Sequence, residues 1–364
     1  MIARARSIVV GIAALVVVSA AGAPALAKGE GPFDGLPRLG QAVRPVMGPI
    51  NHVPADLDPG RVVFGSSIYQ DSWPMGLVRT ADGKAYLLAV WHNRSGRNAW
   101  YWISDVVTEG PNKGFKPNPR APKPPQKLDY AYDAKADVVR YTATDSDLEI
   151  TFSATGMTWK QKDVMDLKGE IVTPGTYMLI PWFKGGMSAV QAWTTQEFLA
   201  SGTMFGDKVK GTLHVDRSFD RIPYVEGEVN RKFSDHGYAM VFLTQYDDGV
   251  SESGIFMCSK DGVRGAFAAN SKGETVFDTH RFNMKTQYSG TDTHVRTDYD
   301  VEGVAWETVT PPGYSMNSGS FNPGGPPKIN SFGGVTQRQG EKRKVVMSYS
   351  STEGNPEFSC ATFK

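Results

Sequence analysis

The sequence predicts an antiparallel all-β protein, and three observations support that fold class. Short runs of alternating or apolar residues recur from residue 61 onward, as in RVVFGSSIYQ and AYLLAVWHN. Turn sequences that contain Asp-Gly, the strongest short hairpin signal, join several of these runs. The runs follow one another without the long crossover segments that a parallel sheet requires.

The turns and loops between the predicted strands have explicit sequence signals. Asp145-Ser146-Asp147 is predicted to turn a hairpin, and Asp-Gly pairs stand at 82–83, 248–249 and 261–262. Residues 187–200 (MSAVQAWTTQEFLA) form the one helix candidate, and their pattern is ambiguous. Proline cannot donate a hydrogen bond to a sheet, so the proline-rich stretches 111–126 and 311–334 are predicted to be loops and not central strands.

The first 27 residues are predicted to be a secretory signal peptide. Two arginines give a positive start, residues 7–23 are small and apolar, and residues 25–27 match an A-x-A cleavage pattern. An uncleaved membrane anchor is the alternative, because the apolar run is long for a signal core. No later apolar run reaches the roughly 18 residues of a membrane span. We therefore expect a secreted or periplasmic protein with no stable membrane insertion after signal cleavage.

Charge and length limit the classes of function. The chain has 39 Lys and Arg against 38 Asp and Glu, and the signal contains two of the arginines and no acid. Because a basic excess is missing, we expect no nucleic-acid partner. The length fits roughly two domains or one large β domain. We predict an extended arm or linker at 28–60, an N-terminal β domain at 61–235 and a C-terminal β domain at 236–364.

The chain has two cysteines, Cys258 and Cys360, each within a predicted strand. In an oxidising compartment a disulfide between them is expected, and it would tie the C-terminal strand to the body of the protein. Two separately buried thiols are the alternative. Their spacing is not that of a metal site.

Familiar catalytic motifs are absent from the sequence. It contains no Gly-x-Ser-x-Gly, no phosphate-binding Gly-x-x-x-x-Gly-Lys and no His-Glu-x-x-His. The six histidines are scattered, without a partner at the spacing of metal ligands. We therefore expect neither a metal nor an organic cofactor.

The stretch FSDHGY places an acid and an imidazole side by side before an apolar run. If a strand begins at Gly237, then Asp235 and His236 point to opposite faces unless a bulge or turn precedes it. One interpretation is a strand start with a polar end. The other is that His236, with Tyr238 beside it, lines an apolar pocket and exchanges a proton there.

The middle of the chain resembles the hydroxyneurosporene synthase/AttH-like family, which includes the carotenoid 1,2-hydratases. The family pattern has a Ser-Gly-Thr-Leu strand, a Val-x-Gly step and Trp-x-Asp-His-x-Trp-Gly. The matching segments here are Ser201-Gly202-Thr203, Lys210-Gly211-Thr212-Leu213, Val225-Glu226-Gly227 and Phe233-Ser234-Asp235-His236-Gly237-Tyr238. Phe233 and Tyr238 replace the two tryptophans, and the glycine after the second aromatic residue is missing.

The resemblance implies two packed lipocalin-like barrel or sandwich halves with an elongated apolar ligand near their junction. In the hydratases an acid protonates an isolated alkene, and water adds to the cation. By this resemblance Asp235 and His236 would handle protons, and Phe233 and Tyr238 would line the cavity.

Tyr69, Asp71 and Trp73 alternate along one predicted strand, so they are expected to share a face. Aromatic residues with this spacing are more often core than site. A carboxylate between them would be buried, which is costly unless it is paired. Asp71 is therefore a further candidate acid, with Tyr69 and Trp73 as candidate ligand contacts.

These observations predict an exported protein that binds a small hydrophobic molecule, a lipid or isoprenoid, and that would be a hydratase or isomerase if it is catalytic. A non-catalytic envelope β-sandwich that binds polysaccharide or protein is the alternative. A secreted glycoside-active enzyme is a third option, with carboxylates among Glu226, Glu228 and Asp235. The Glu226 and Glu228 pair, however, is more typical of a solvated strand face.

Overall fold

The computed structural model describes residues 45–51, 53–58, 60–64, 67–93, 100–110, 113–125, 127–184, 187–220, 237–259, 263–290, 293–317 and 329–354. The predicted signal peptide and most of the predicted arm lie outside these residues. In the described part of the chain, no helix has the length and apolar character needed to cross a membrane.

The first half of the chain folds as one antiparallel sheet. Its strands are β1 (Val46–Ile50), β2 (Val62–Val63), β3 (Ser67–Thr80), β4 (Ala85–Asn93), β5 (Trp100–Val107), β6 (Gly114–Pro117), β7 (Asp129–Asp133), β8 (Val138–Ala143), β9 (Leu148–Ser153), β10 (Gly156–Gln161), β11 (Met165–Ile171), β12 (Gly175–Lys184), β13 (Met187–Met204) and β14 (Asp207–Asp220). The main path is β6-β5-β4-β3-β14-β13-β11-β10-β9-β8-β7, with β1 and β12 branching from β13 and β2 from β3. The 3-10 turn Pro54–Leu57 lies between β1 and β2.

This sheet curls around an apolar core. Tyr86 of β4 and Tyr141 of β8 come from distant parts of the strand order, yet both belong to the same buried cluster. The hydroxyl of Tyr101 on β5 donates to Gln161 at the end of β10. Strands far apart in the sheet can share one core only if the sheet bends back on itself, so the N-terminal half is barrel-like.

The second half of the chain forms two further antiparallel sheets. Its strands are β15 (Gly237–Tyr246), β16 (Ser251–Ser259), β17 (Arg264–Asn270), β18 (Thr275–Thr279), β19 (Phe282–Ser289), β20 (Thr293–Val301), β21 (Val304–Val309), β22 (Ser315–Asn317), β23 (Ile329–Phe332), β24 (Val335–Arg338) and β25 (Val345–Gly354). One sheet runs β18-β17-β16-β15-β25-β23-β22 and the other β19-β20-β21-β24. Phe242 and Phe256 of the first sheet pack against Tyr299 and Trp306 of the second.

The two halves pack together through the outer face of the N-terminal sheet. Met178 of β12 lies in one buried cluster with Val241 and Met257 of the C-terminal half, and Leu77 of β3 lies in another with Tyr349 of β25. The antiparallel all-β class, with two packed barrel-like or sandwich halves, is therefore confirmed. The interface between the halves is apolar at its margins, and its centre contains the polar residues described below.

Most of the predicted turns are confirmed. Gly83 and Gly249 take φ values of +91° and +81° in the β3–β4 and β15–β16 hairpins, where the left-handed conformation favours glycine. The turn at 145–147 joins β8 to β9. The predicted turn at 260–262 lies outside the described residues.

Three segments differ from the sequence-based expectations. The ambiguous helix candidate at 187–200 is part of β13, which pairs with β14 from residue 192 onward and with β11 and β12 on its other side, so neighbouring strands override local helix preference. The predicted loop 111–126 contains the short edge strand β6. The predicted loop 311–334 contains β22 and β23, which lie beside β25 at one edge of their sheet.

Candidate active site at the junction

A β-bulge in β3 places Tyr69 and Trp73 on different faces of the sheet. Ser218 pairs with Asp71 and Phe219 pairs with Tyr69, so Gln70 is an extra residue in β3. The expectation that Tyr69, Asp71 and Trp73 share a face is therefore wrong. Tyr69 points into the N-terminal core, whereas Trp73 packs with Met75 at the interface with the other half.

Alternate side chains of β14 point to opposite faces of the sheet. Leu213, Val215 and Phe219 belong to the N-terminal core. The intervening residues, among them His214 and Asp216, therefore point to the opposite side, which we call the junction face. Tyr349 of the C-terminal half packs over this face, with its ring centroid 5.6 Å from that of His214.

Three ionisable residues meet on the junction face. Glu197 of β13 stands directly opposite His214 of β14 in the strand register, and Asp216 follows two residues later on the same strand. His214 Nδ1 lies 3.4 Å from a Glu197 carboxylate oxygen, and Nε2 lies 2.9 Å from an Asp216 oxygen. Both contacts are within ion-pair distance. We call these three residues the acid–imidazole cluster.

Burial and charge act in opposite directions on this cluster. His214 is fully buried, and burial alone would lower its pKa, but the charges of Asp216 and Glu197 outweigh that effect and raise the pKa to about 9. Burial also raises the pKa of Glu197, against the opposing effect of His214. The cluster thus holds a proton at neutral pH in a region shielded from water.

Polar atoms around the cluster have unused hydrogen-bonding capacity. Among the described residues, the hydroxyls of Thr195 and Thr212 are buried without a hydrogen-bond partner. Both belong to the junction face, because Thr195 pairs with Asp216 and Thr212 pairs with Leu77. Buried polar groups in folded proteins normally have partners, so these hydroxyls are suited to hold water or a polar ligand atom.

Beside the cluster lies a group of half-buried aromatic residues. Trp73 pairs with Asp216 across β3 and β14, and its ring stacks on that of Trp91 at 5.5 Å. Trp102, Phe115 and the buried Phe332 of the C-terminal half pack in the same group. We call these five residues the tryptophan cluster. Asp216 is the member of the acid–imidazole cluster nearest to it and has the most exposed side chain of the three, at 13%.

Asp71 also lies on the junction face, as the acceptor of a hydrogen bond from the Ser218 hydroxyl. The Asp71 carboxylate is buried, and this hydrogen bond offsets part of the cost of its burial. It stands four residues along the strands from His214, which corresponds to about 13 Å at the usual rise of a strand. The structure thus places Asp71 on the same face as the cluster but outside its direct contacts.

The other predicted site residues are divided between the core and the undescribed part of the chain. Phe233, Asp235 and His236 lie outside the described residues, as do Glu226 and Glu228. Their predicted roles stay predictions.

Tyr238 is fully buried inside the C-terminal half. Its hydroxyl lies 2.8 Å from that of Tyr299 and 3.1 Å from that of Thr297. Among the described residues it therefore belongs to the core of that half and not to the junction face.

Cys258 is disulfide-bonded. Cys360, the other cysteine of the chain, lies outside the described residues, so the predicted pairing stays a prediction.

The acid–imidazole cluster was not predicted from the sequence. Its signal is the alternation of polar and apolar residues in TLHVD at 212–216, which is typical of a strand with one solvated face. Only the packing of the second half on that face makes these polar residues buried. Within the described chain, no group of three or more His, Cys, Asp and Glu residues is arranged to hold a metal ion.

Comparison with known proteins gives structural neighbours only. No family model and no curated protein matches the chain. An AttH candidate from Nitrosomonas europaea is 14% identical, with a TM-score of 0.46 over 82% of this chain and 99% of that chain. CghA in complex with Sch210972 is 11% identical, with a TM-score of 0.46 over 87% and 99%. Kievitone hydratase from Nectria haematococca is 11% identical, with a TM-score of 0.41 over 89% and 98%.

Proposed function

We propose that the protein is an exported binding protein for an apolar or amphipathic small molecule, such as an isoprenoid or other unsaturated lipid, and that it moves a proton on an alkene of that ligand. The acid–imidazole cluster carries the proposal, because it places a protonated, water-shielded imidazole and two carboxylates beside the tryptophan cluster. The resemblance of the sequence to the AttH-like hydratases supports the same class of reaction.

The tryptophan cluster would bind the apolar part of the ligand. Trp73 and Trp91 are only partly buried, so their stacked rings remain available for contact. A partly buried aromatic group of this kind at an interface is typical of a ligand-binding surface. The ring faces would also stabilise a carbocation, since aromatic faces attract cations.

Asp216 would deliver the proton to the alkene, with His214 supplying it through the 2.9 Å contact. The π electrons of the alkene form the new C–H bond and leave a cation on the neighbouring carbon. A water molecule then forms the C–O bond and returns its extra proton to Asp216. Loss of a proton from an adjacent carbon instead would give isomerisation. Asp235 and His236 remain proposed proton carriers, and Asp71 a proposed assisting acid.

The test follows isotope incorporation into bound molecules. Organic molecules extracted from the natively purified protein, together with squalene and geraniol as defined alkenes, are incubated with the protein in H2¹⁸O or D2O and measured by mass spectrometry. We expect ¹⁸O incorporation for hydration, or deuterium alone for isomerisation. Asp216→Asn should abolish isotope incorporation, since a carboxamide is too weak an acid to protonate an alkene.

The matched control is Asp166→Asn, which changes an exposed aspartate on β11 of the same sheet. It should keep the wild-type rate of incorporation. If the wild-type protein incorporates no isotope into any of these molecules, or if Asp216→Asn incorporates as much as the wild type, the proposed reaction is wrong.

A further inference from the structure

A buried arginine lies on the face of β14 opposite the acid–imidazole cluster. Arg217 is only 2% exposed and points into the N-terminal half, where its guanidinium lies 4.6 Å from the centroid of the Phe152 ring. Since His214 and Arg217 are an odd number of residues apart on one strand, they face different compartments.

The guanidinium is not neutralised by the described residues. None of their carboxylates forms an ion pair with Arg217, and its Nε and Nη1 atoms have no hydrogen-bond partner among them. Its polar partner is the hydroxyl of Tyr141. An arginine keeps its charge in proteins, and a buried charge without a counter-ion is costly. The two unused donors therefore require a partner.

Neutral polar groups surround this position. The Tyr69 hydroxyl lies 2.9 Å from His92 Nδ1 and donates to Ser72 Oγ at 3.0 Å, and Ser72 Oγ lies 2.9 Å from the Tyr141 hydroxyl. Burial lowers the pKa of His92 to about 4 and raises the pKa of Tyr69 well above its usual value. At neutral pH these groups can form hydrogen bonds, but they bring no negative charge to Arg217.

We propose that the interior of the N-terminal half binds a monocarboxylate with a long apolar chain, such as a fatty acid. The carboxylate would accept a hydrogen bond from Arg217 Nε or Nη1, with the hydroxyls of Tyr69 and Tyr141 close to it. A hydrogen bond between a guanidinium and a carboxylate is charge-assisted and therefore stronger than one between neutral groups. One negative charge neutralises one arginine, whereas a phosphate dianion would leave excess charge in the core.

The surroundings of Arg217 suit the rest of such a ligand. The apolar core around Phe152 and Phe198 would contact the chain. Leu57 of the 3-10 turn belongs to that core, and its carbonyl accepts a hydrogen bond from Tyr130. This site is independent of the proposed reaction at the junction face.

The experiment measures whether binding depends on the carboxylate charge. Purified wild-type protein is titrated with palmitate carrying ¹³C at the carboxyl, and with hexadecanol, which has the same chain length and no charge. We expect palmitate to bind at least about tenfold more tightly, the range of a hydrogen bond to a charged group. Arg217→Met should remove this preference, and Arg140→Met, on the exposed side of β8, should keep it.

A second measurement does not depend on the stability of the Arg217→Met variant. The ¹³C chemical shift of palmitate bound to the wild type, followed against pH, should show a carboxyl pKa below its value in water. Equal affinity for palmitate and hexadecanol, an unshifted carboxyl pKa, or an unchanged preference in folded Arg217→Met would each overturn the proposal. Both measurements follow binding alone and need no turnover, so this test is separate from that of the proposed reaction.

Discussion

His214 should make the folded protein less stable as the pH rises from neutral to about 9. Its pKa is about 9 in the folded protein, against an ordinary value of 6.5. Between these values the folded state keeps a proton that the unfolded chain releases, so unfolding becomes more favourable with increasing pH. The stabilisation is complete below pH 6.5 and is lost as the pH rises through about 9.

The size of the effect follows from the two pKa values. One pKa unit corresponds to about 1.4 kcal/mol, so the difference between 6.5 and about 9 gives about 3 kcal/mol. A loss of this size is a large fraction of the stability of a typical domain. Urea unfolding followed by tryptophan fluorescence between pH 6 and 9.5 measures it directly. This range stays below the pH at which unfolded tyrosines ionise, about 10.

An isosteric variant provides the comparison. Glu197→Gln/Asp216→Asn removes both carboxylate charges, so burial alone acts on His214 and keeps it neutral above pH 6.5. Its unfolding free energy should therefore be nearly constant over the range. Asp166→Asn/Glu170→Gln changes two exposed acids of β11 and should follow the wild type. If the wild type loses no more stability than the doubly neutralised variant, His214 does not hold its proton as argued.

Three further changes test the packing. Gly211→Ala should lower the unfolding free energy by about 1–3 kcal/mol, because a Cβ there would lie 2.0 Å from a backbone carbonyl oxygen of β3. Gly83→Asn, in an open turn, should lower it by less than about 1 kcal/mol. Chemical denaturation measures both changes. Tyr238→Phe should cost about 1 kcal/mol without altering ligand binding, since the partners of its hydroxyl among the described residues lie in the C-terminal core. Tyr132→Phe, which removes an exposed hydroxyl, should be near neutral, and equal losses in the two variants would contradict this. Deletion of Gln70 should keep soluble expression, because the strand can then pair regularly with Tyr69 still opposite Phe219, whereas deletion of Leu77 in the regular part of β3 should abolish it, because it moves the residues on one side of it to the wrong face.

The fold class could be predicted because its signals are local. Alternating runs and Asp-Gly turns depend only on neighbouring residues, and the hairpin at Gly249 formed where its sequence indicated. The helix candidate at 187–200 was ambiguous for the same reason. Its state depends on the strands that pair with it on both sides, and the segment itself carries no information about them.

The candidate site depended on features that a single sequence does not mark. Nothing in SIYQDSW identifies Gln70 as a bulge, yet that one residue separates Tyr69 from Trp73. The sequence around His214 is typical of a solvated strand face, and its burial depends on the C-terminal half, including Tyr349, which lies far along the chain. The predicted pair Asp235 and His236 remains untested by the described residues.

The position of β14 between two compartments affects how the protein could change during evolution. Alternate residues of β14 belong to the core around Arg217 and to the interface around His214. A point substitution in this strand therefore alters one compartment and leaves the other intact. The two could therefore diversify independently by substitution. A one-residue insertion or deletion in the strand would exchange the residues of both at once. We expect homologues to keep the length of this strand while its residues on either face vary separately.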